Sequence, residues 1–173
     1  MEGKIILNIA ISLDGFIASE NGTFQWIKGD GDNSLNTEKT QNFEKFMEAI
    51  DIVVMGNRCF KQDLAKDFAS KKVLVATREE KPVEGNIHFI NGDIVSMLEI
   101  EKQKNKNIYL FGGGILIDPF IKANVIDEYI IGIIPTILGN GRRLFLDNNP
   151  NLILHLDKYT IEEGIPILHY SKR

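Results

Sequence analysis

Asn107-Ile108-Tyr109-Leu110-Phe111, followed at once by Gly112-Gly113-Gly114, is the stretch whose reading decides the fold. A short apolar run of this length reads as a strand buried on both faces, and three glycines stop it. A helix is predicted to follow, from about Ile115 to Ala123. Glycines between a buried strand and a helix let the backbone approach a pyrophosphate closely, and the helix N-terminus adds free N–H groups and a positive dipole end. The spacing is not the dinucleotide fingerprint GxGxxG, and no acidic residue stands at the distance that fingerprint requires. A bare strand-to-helix turn is the competing reading of the same three glycines.

The pattern repeats outward from this point. Lys4–Ala10, apolar apart from Asn8, is a predicted strand, and Phe16–Ala18 is extended beyond the Asp14-Gly15 turn. Thr37 is the predicted N-cap of a helix with Phe43, Phe46, Met47 and Ile50 on its apolar side. Further strands are predicted at Asp51–Met55, Lys72–Ala76, Ile87–Ile90 and Glu128–Ile134. Helices are predicted at about Arg58–Lys66 and Ile94–Lys104. Leu138–Arg143 reads as a glycine-rich basic loop, and Leu152–Tyr159 with Ile165–Ser171 as an edge hairpin. Strands alternate with helices as far as Ala123, and strands dominate afterwards. This predicts an α/β fold with a mostly parallel sheet, helices on both faces and antiparallel strands added at the C-terminal end.

In such sheets ligands bind at the carboxyl ends of the strands. Three of these ends carry suitable residues. Gly112-Gly113-Gly114 is the first. Gly56-Asn57-Arg58-Cys59 is the second, with Arg58 placed to meet a phosphate. Thr77-Arg78 is the third, a hydroxyl beside a guanidinium. Each alone reads as readily as a turn or a solvated loop; three in register predict an extended polyphosphate ligand. Ser12-Leu13-Asp14-Gly15 is either a turn capped by Asp14 or a loop closing over a cofactor. Trp26 is either core or pocket wall. Gly139–Arg143 is either a solvated tip or a contact for a substrate phosphate.

Composition narrows the class. The 173 residues suit one domain, 1–173, and the 43% hydrophobic and 25% charged content is ordinary for a globular chain. A net charge of −4 gives no reason to expect nucleic acid or an acidic membrane as partner. The single cysteine, Cys59, cannot form an intramolecular disulfide and fits a reducing compartment. The N-terminus lacks a leader pattern and no apolar run is long enough to span a bilayer, so a cytoplasmic protein is expected. His88, His155 and His169 are not at ligand spacing, so no metal is expected. GxSxG and Walker A motifs are absent.

Taken together, Ile9-Ala10-Ile11-Ser12-Leu13-Asp14-Gly15-Phe16-Ile17-Ala18, Val54-Met55-Gly56-Asn57-Arg58, Val75-Ala76-Thr77-Arg78, Leu110-Phe111-Gly112-Gly113-Gly114 and Gly164-Ile165-Pro166-Ile167 resemble the dihydrofolate-reductase superfamily. Within it the chain is most similar to the reductase domain of the bifunctional deaminase-reductase of riboflavin biosynthesis. The resemblance implies a three-layer dihydrofolate-reductase-like fold and NADPH as cofactor. It implies hydride transfer to a heterocyclic or ribosylamino-pyrimidine substrate, and a homodimer. Ala10 and Ile17 would flank the nicotinamide. Gly56, Asn57, Arg58 and Cys59 would follow the adenosine side and the pyrophosphate. Thr77 and Arg78 would hold the 2′-phosphate, and Gly112, Gly113, Gly114 and Ile115 would cradle the pyrophosphate. On the substrate side the candidates are Ser12, Asp14, Trp26 and Arg142, with Asp32 as a proton-handling carboxylate. Many relatives carry arginine and threonine where this chain has Asn57 and Cys59. The stretch Ile27–Asp32 does not match the carboxylate-bearing helix start of true dihydrofolate reductases, which counts against folate as substrate. A dihydrofolate reductase and a non-catalytic nucleotide-binding module are the alternatives.

Overall fold

A computed structural model describes residues 2–173. The first half runs β1 (Ile5–Ser12), β2 (Phe16–Ala18), α1 (Phe43–Glu48), β3 (Ile52–Gly56), α2 (Asn57–Lys61), a 3₁₀ turn (Leu64–Phe68), β4 (Lys72–Ala76) and β5 (Ile87–Ile90). The second half runs α3 (Ile94–Gln103), β6 (Ile108–Gly112), α4 (Gly114–Lys122), β7 (Glu128–Ile134), β8 (Arg142–Arg143), β9 (Leu154–Glu162) and β10 (Ile165–Lys172). Eight strands form one sheet in the order β5-β4-β3-β6-β1-β7-β10-β9. Neighbours are parallel from β5 to β7, and β10 runs antiparallel between β7 and β9.

Side chains alternate across a strand, so each face of the sheet receives its own apolar set. Ile5, Leu7, Ile52, Val54, Leu74, Ile108 and Leu110 point to one face, where Leu98 of α3 and Leu116, Ile117, Phe120 and Ile121 of α4 cover them. Ile6, Val53, Met55, Val73, Val75 and Tyr109 point to the other, against Phe46 and Met47 of α1, Cys59 and Phe60 of α2, and Phe68 of the 3₁₀ turn. The result is a three-layer α/β sandwich with helices on both faces. Asn42 and Asp93 cap α1 and α3, accepting from the N–H groups of Lys45 and Ser96 at 2.8 and 3.1 Å.

The strand predictions hold to within a few residues, while the first helix differs. Asn42, not Thr37, is its N-cap, and α1 spans six residues. The segment before it is drawn onto the hairpin instead. The Thr37 N–H donates to the Ile161 carbonyl at 3.0 Å, and the Ile161 N–H donates to the Thr37 hydroxyl at 3.1 Å. The Gln41 N–H donates to the Glu162 carboxylate. The helix expected over Arg58–Lys66 is interrupted at Asp63, which adopts a left-handed backbone (φ 67°) between α2 and the 3₁₀ turn. Within the expected loop Leu138–Arg143, the two residues of β8 pair with β2. Of the C-terminal pair only β9 lies at the sheet edge. Pro166 sits beyond the end of the β10–β7 ladder, where its missing N–H interrupts no bond to β7.

One irregularity of the sheet creates the site. β1 pairs with β7 over seven positions, from Ile6–Glu128 to Ser12–Ile134. With β6 it pairs over three only, ending at Leu7–Leu110. Beyond that point β1 and β6 part, and a crevice opens between them.

Candidate active site

The crevice widens into a cleft of about 1220 Å³ along the carboxyl ends of β1, β3, β4 and β6. Ala10 and Ile17 line it on one side, and Gly112, Gly113, Gly114 and Ile115 on the other. Gly56, Asn57, Arg58 and Cys59 continue the wall, and Thr77 and Arg78 end it. Three strand ends singled out from sequence thus line one continuous cavity. Arg142 joins them, beside Gly22 and Gln62.

The glycine segment is shaped for close approach. Gly112 has φ 123°, a region L side chains rarely adopt, and the Gly112–Gly113 peptide is cis. A Cβ on Gly56 would have no neighbour nearer than the Gly112 carbonyl at 3.8 Å, and one on Gly113 would meet only Ile17 Cδ1 at 3.5 Å. Side chains there would fill the cleft, so glycine leaves that space for a ligand. Gly113 is the N-cap of α4 and no side chain caps that helix, so its dipole end faces the cleft without a competing acceptor.

The electrostatics point the same way. The chain has five arginines, and four of them, Arg58, Arg78, Arg142 and Arg143, line this cleft. Among the described residues none of the four pairs with a carboxylate; every ion pair is made by a lysine or by His155. Arg143 lies over the Phe16 ring, its guanidinium carbon 5.1 Å from the centroid. Of the three acidic residues at the cleft, Glu79 is engaged by Lys81, Asp93 caps α3, and Asp67 makes no ion pair among the described residues. A chain of net charge −4 therefore concentrates unpaired guanidinium groups in one cavity, which suits a polyanionic ligand.

Cys59 is half-buried. Its thiol donates to the Gly112 carbonyl at 3.5 Å, and burial pushes its pKa up, so it stays a neutral thiol. It ties α2 to the glycine segment, which is a positioning role a threonine hydroxyl would also serve. The buried Asn57 Oδ1 has no hydrogen-bond partner and remains available to a donor on a ligand. The residues present fit a dinucleotide phosphate: a glycine cradle, an open helix end, and unpaired guanidinium groups at intervals along the wall.

Four candidates lie outside the cleft lining: Ser12, Asp14, Trp26 and Asp32. Ser12 is fully buried. Its hydroxyl donates to Asp14 Oδ1 at 2.6 Å and accepts from the Phe16 N–H at 2.9 Å. Asp14 also accepts from the N–H groups of Leu138 and Gly139 at 3.1 and 2.8 Å. These bonds, led by the Ser12 hydroxyl, bring the Asp14 pKa down to about 2. The pair clasps the β1–β2 turn to the loop after β7. Because the folded-state pKa is lowered, this clasp stabilises the fold fully above about pH 4, and the stabilisation is lost as pH falls toward 2. Asp14→Asn is expected to flatten the acid limb of a melting-temperature profile taken between those values; an unchanged limb would contradict the clasp.

Trp26 is half-buried with its indole N–H unpartnered, while its neighbours Phe24 and Ile27 do line the cleft. Asp32 is exposed and accepts from the Ser34 N–H at 2.8 Å, which lowers its pKa. Sequence reading missed Asn8, Gln62 and Tyr109 as lining residues, while Arg143, within the basic loop offered as a phosphate contact, does line the cleft. For Asn8 a signal existed, since a polar residue inside a buried strand needs a partner.

Comparison with known proteins agrees with this geometry. The family model of the RibD C-terminal domain matches residues 3–168. The uncharacterized protein YwjB of Bacillus subtilis is 32% identical over 182 residues, covering 99% of each chain. A solved protein from Shewanella sp. PV-4, provisionally named for riboflavin biosynthesis, superposes with a TM-score of 0.80 at 26% identity, over 98% of this chain and 99% of that one. The dihydrofolate reductase of Enterococcus faecalis, solved with NADP(H), superposes with a TM-score of 0.65 at 14% identity, over 100% of this chain and 98% of that one. The splayed β1–β6 crevice and the glycine cradle are thus set in a dihydrofolate-reductase-like fold, and the chain belongs to the RibD C-terminal domain family, a reductase-like domain.

Proposed function

We propose that residues 1–173 act as one reductase domain that binds NADPH and transfers its hydride to a heterocyclic or ribosylamino-pyrimidine-type substrate. The observation that carries this reading is the set of four unpaired arginines lining one glycine-walled cleft. Gly112–Gly114 and the first turn of α4 would hold the pyrophosphate, with Arg58 alongside. Thr77 and Arg78 would hold the 2′-phosphate. Ala10 and Ile17 would flank the nicotinamide, as in the resemblance from which their roles come. When bound, NADPH would supply the hydride.

The chain's own contribution is position and dryness. Phe24, Ile27, Ile9 and Ile17 give apolar walls, which orient a flat ring and exclude water. The segments β1, β2 and Phe24–Ile27 bring no carboxylate to the lining. A proton following the hydride would therefore come from solvent or from the substrate itself, and Asp32 would take no part. This also favours a pyrimidine over folate, whose ring is held by a carboxylate in the true dihydrofolate reductases that the sequence resembles.

The test is oxidation of NADPH, followed by loss of its nicotinamide absorbance, over a panel of ribosylamino-pyrimidines and dihydropterins. Turnover with a ribosylamino-pyrimidine and none with dihydrofolate is expected. The reverse order would replace this reading with a dihydrofolate reductase. NADPH binding without turnover on the whole panel would favour a binding module.

A further inference from the structure

β1 carries one polar residue between Ile5 and Ile11, Asn8. Ile6, Asn8 and Ala10 share the face packed against α1 and α2, while Ile5, Leu7 and Ile9 face α3 and α4. Asn8 stands one residue past the last β1–β6 pair, where the strands begin to part, and it lines the cleft with Ala10, Phe24, Ile27 and Tyr109. Its backbone is fixed: the Tyr109 hydroxyl donates to the Asn8 carbonyl at 3.0 Å, and the Tyr109 ring packs edge-on against Phe46 and Phe111. Its side chain is not satisfied: Nδ2 is buried and has no hydrogen-bond partner.

A buried donor without an acceptor is destabilising, so an unpartnered amide in a cleft wall marks a missing contact. The terminal torsion of asparagine is broad, and turning it presents either the N–H or the C=O end to the cleft. Asn8 is also the only hydrogen-bonding side chain that β1, β2 and Phe24–Ile27 bring to the lining among the described residues. The remainder of that end is apolar.

We infer that Asn8 is the polar anchor for the substrate's heterocyclic ring. Its amide donates to a carbonyl oxygen or ring nitrogen of a neutral heterocycle lying over Ala10. The inference rests on the reading that places the nicotinamide beside Ala10 and Ile17.

Ligand-observed NMR with uracil and with cytosine, on the complex with NADP⁺ and on the cofactor-free protein, tests it. Asn8→Leu is expected to weaken uracil about tenfold, the scale of one lost hydrogen bond. Its NADPH affinity, measured by calorimetry, stays within twofold, which shows that the variant is folded. Asn8→Asp, an acceptor only, is expected to weaken uracil relative to cytosine, which presents an amino donor where uracil presents a carbonyl acceptor. Uracil binding within twofold of wild type in both variants would overturn the inference, as would wild-type protein that binds neither ring. Equal losses of uracil and NADPH would also overturn it, because Asn8 would then be a cofactor contact. Failure of wild-type protein to bind NADPH would sink the cofactor reading alone; the uracil titration of the cofactor-free protein would still decide the role of Asn8 by the same tenfold criterion.

Discussion

Arg78→Ala weakens NADPH binding about ten- to a hundredfold and leaves NADH binding nearly unchanged: this is the expected result if Arg78 meets the 2′-phosphate. The magnitude is that of a charge-assisted hydrogen bond to an ionised group. Arg78 follows the end of β4, exposed, with no carboxylate bound to it among the described residues. Thr77 beside it is buried, and its hydroxyl accepts from the Glu79 N–H at 3.1 Å, which fixes the turn that carries Arg78. NADH bears a hydroxyl where NADPH bears a phosphate, so only NADPH can use the guanidinium. Paired calorimetric titrations of the variant decide the matter. Equal losses for the two cofactors would move Arg78 to the pyrophosphate or to a structural role. Arg58→Ala provides the contrast: next to the pyrophosphate, it should weaken both cofactors alike.

Gly114→Ala should destabilise the fold by about 2–4 kcal/mol, the range of severe overpacking. Gly114 is the first residue of α4 and is buried. A Cβ there would lie 2.3 Å from the Arg143 carbonyl oxygen and 3.2 Å from that of Leu144. Both obstacles are backbone, so no rotamer change relieves them. Either α4 or the segment holding Arg142 and Arg143 must move, and both belong to the cleft wall. The melting temperature should fall by roughly 5–15 °C for a chain of this size, with NADPH affinity falling too. Gly56→Ala is the control, because its Cβ meets nothing nearer than 3.8 Å in the protein. It should leave the melting temperature close to wild type while reducing NADPH binding. A Gly114→Ala protein as stable as wild type would show that the β8 segment yields more readily than its packing suggests.

The sheet was legible in the sequence because its signal is local. β4, β5 and β7 are short apolar runs bounded by turn residues, and their limits follow from those boundaries. The cofactor half of the cleft was legible for a related reason. Glycines, arginines and a threonine recur just past strand ends, and a parallel sheet aligns those ends automatically. What escaped depends on contacts between distant segments. Thr37 has the chemistry of an N-cap, yet its hydroxyl serves Ile161 of β9, far away in sequence. Asp14 has the chemistry of a site residue, yet it holds Leu138 and Gly139. Arg143 reaches the cleft only because β8 pairs with β2. The opening itself arises where the β1–β6 ladder stops after Leu7, and no pattern in either strand announces that divergence.

Calorimetric titration of the wild-type protein with NADPH and, separately, with NADH tests the central claim most directly. Saturable binding of NADPH with clear preference over NADH is the predicted result, and it would seat a 2′-phosphate in the arginine-lined cleft. Binding of neither cofactor would contradict the account, and Gly112–Gly114 would then be a strand-to-helix turn and nothing more.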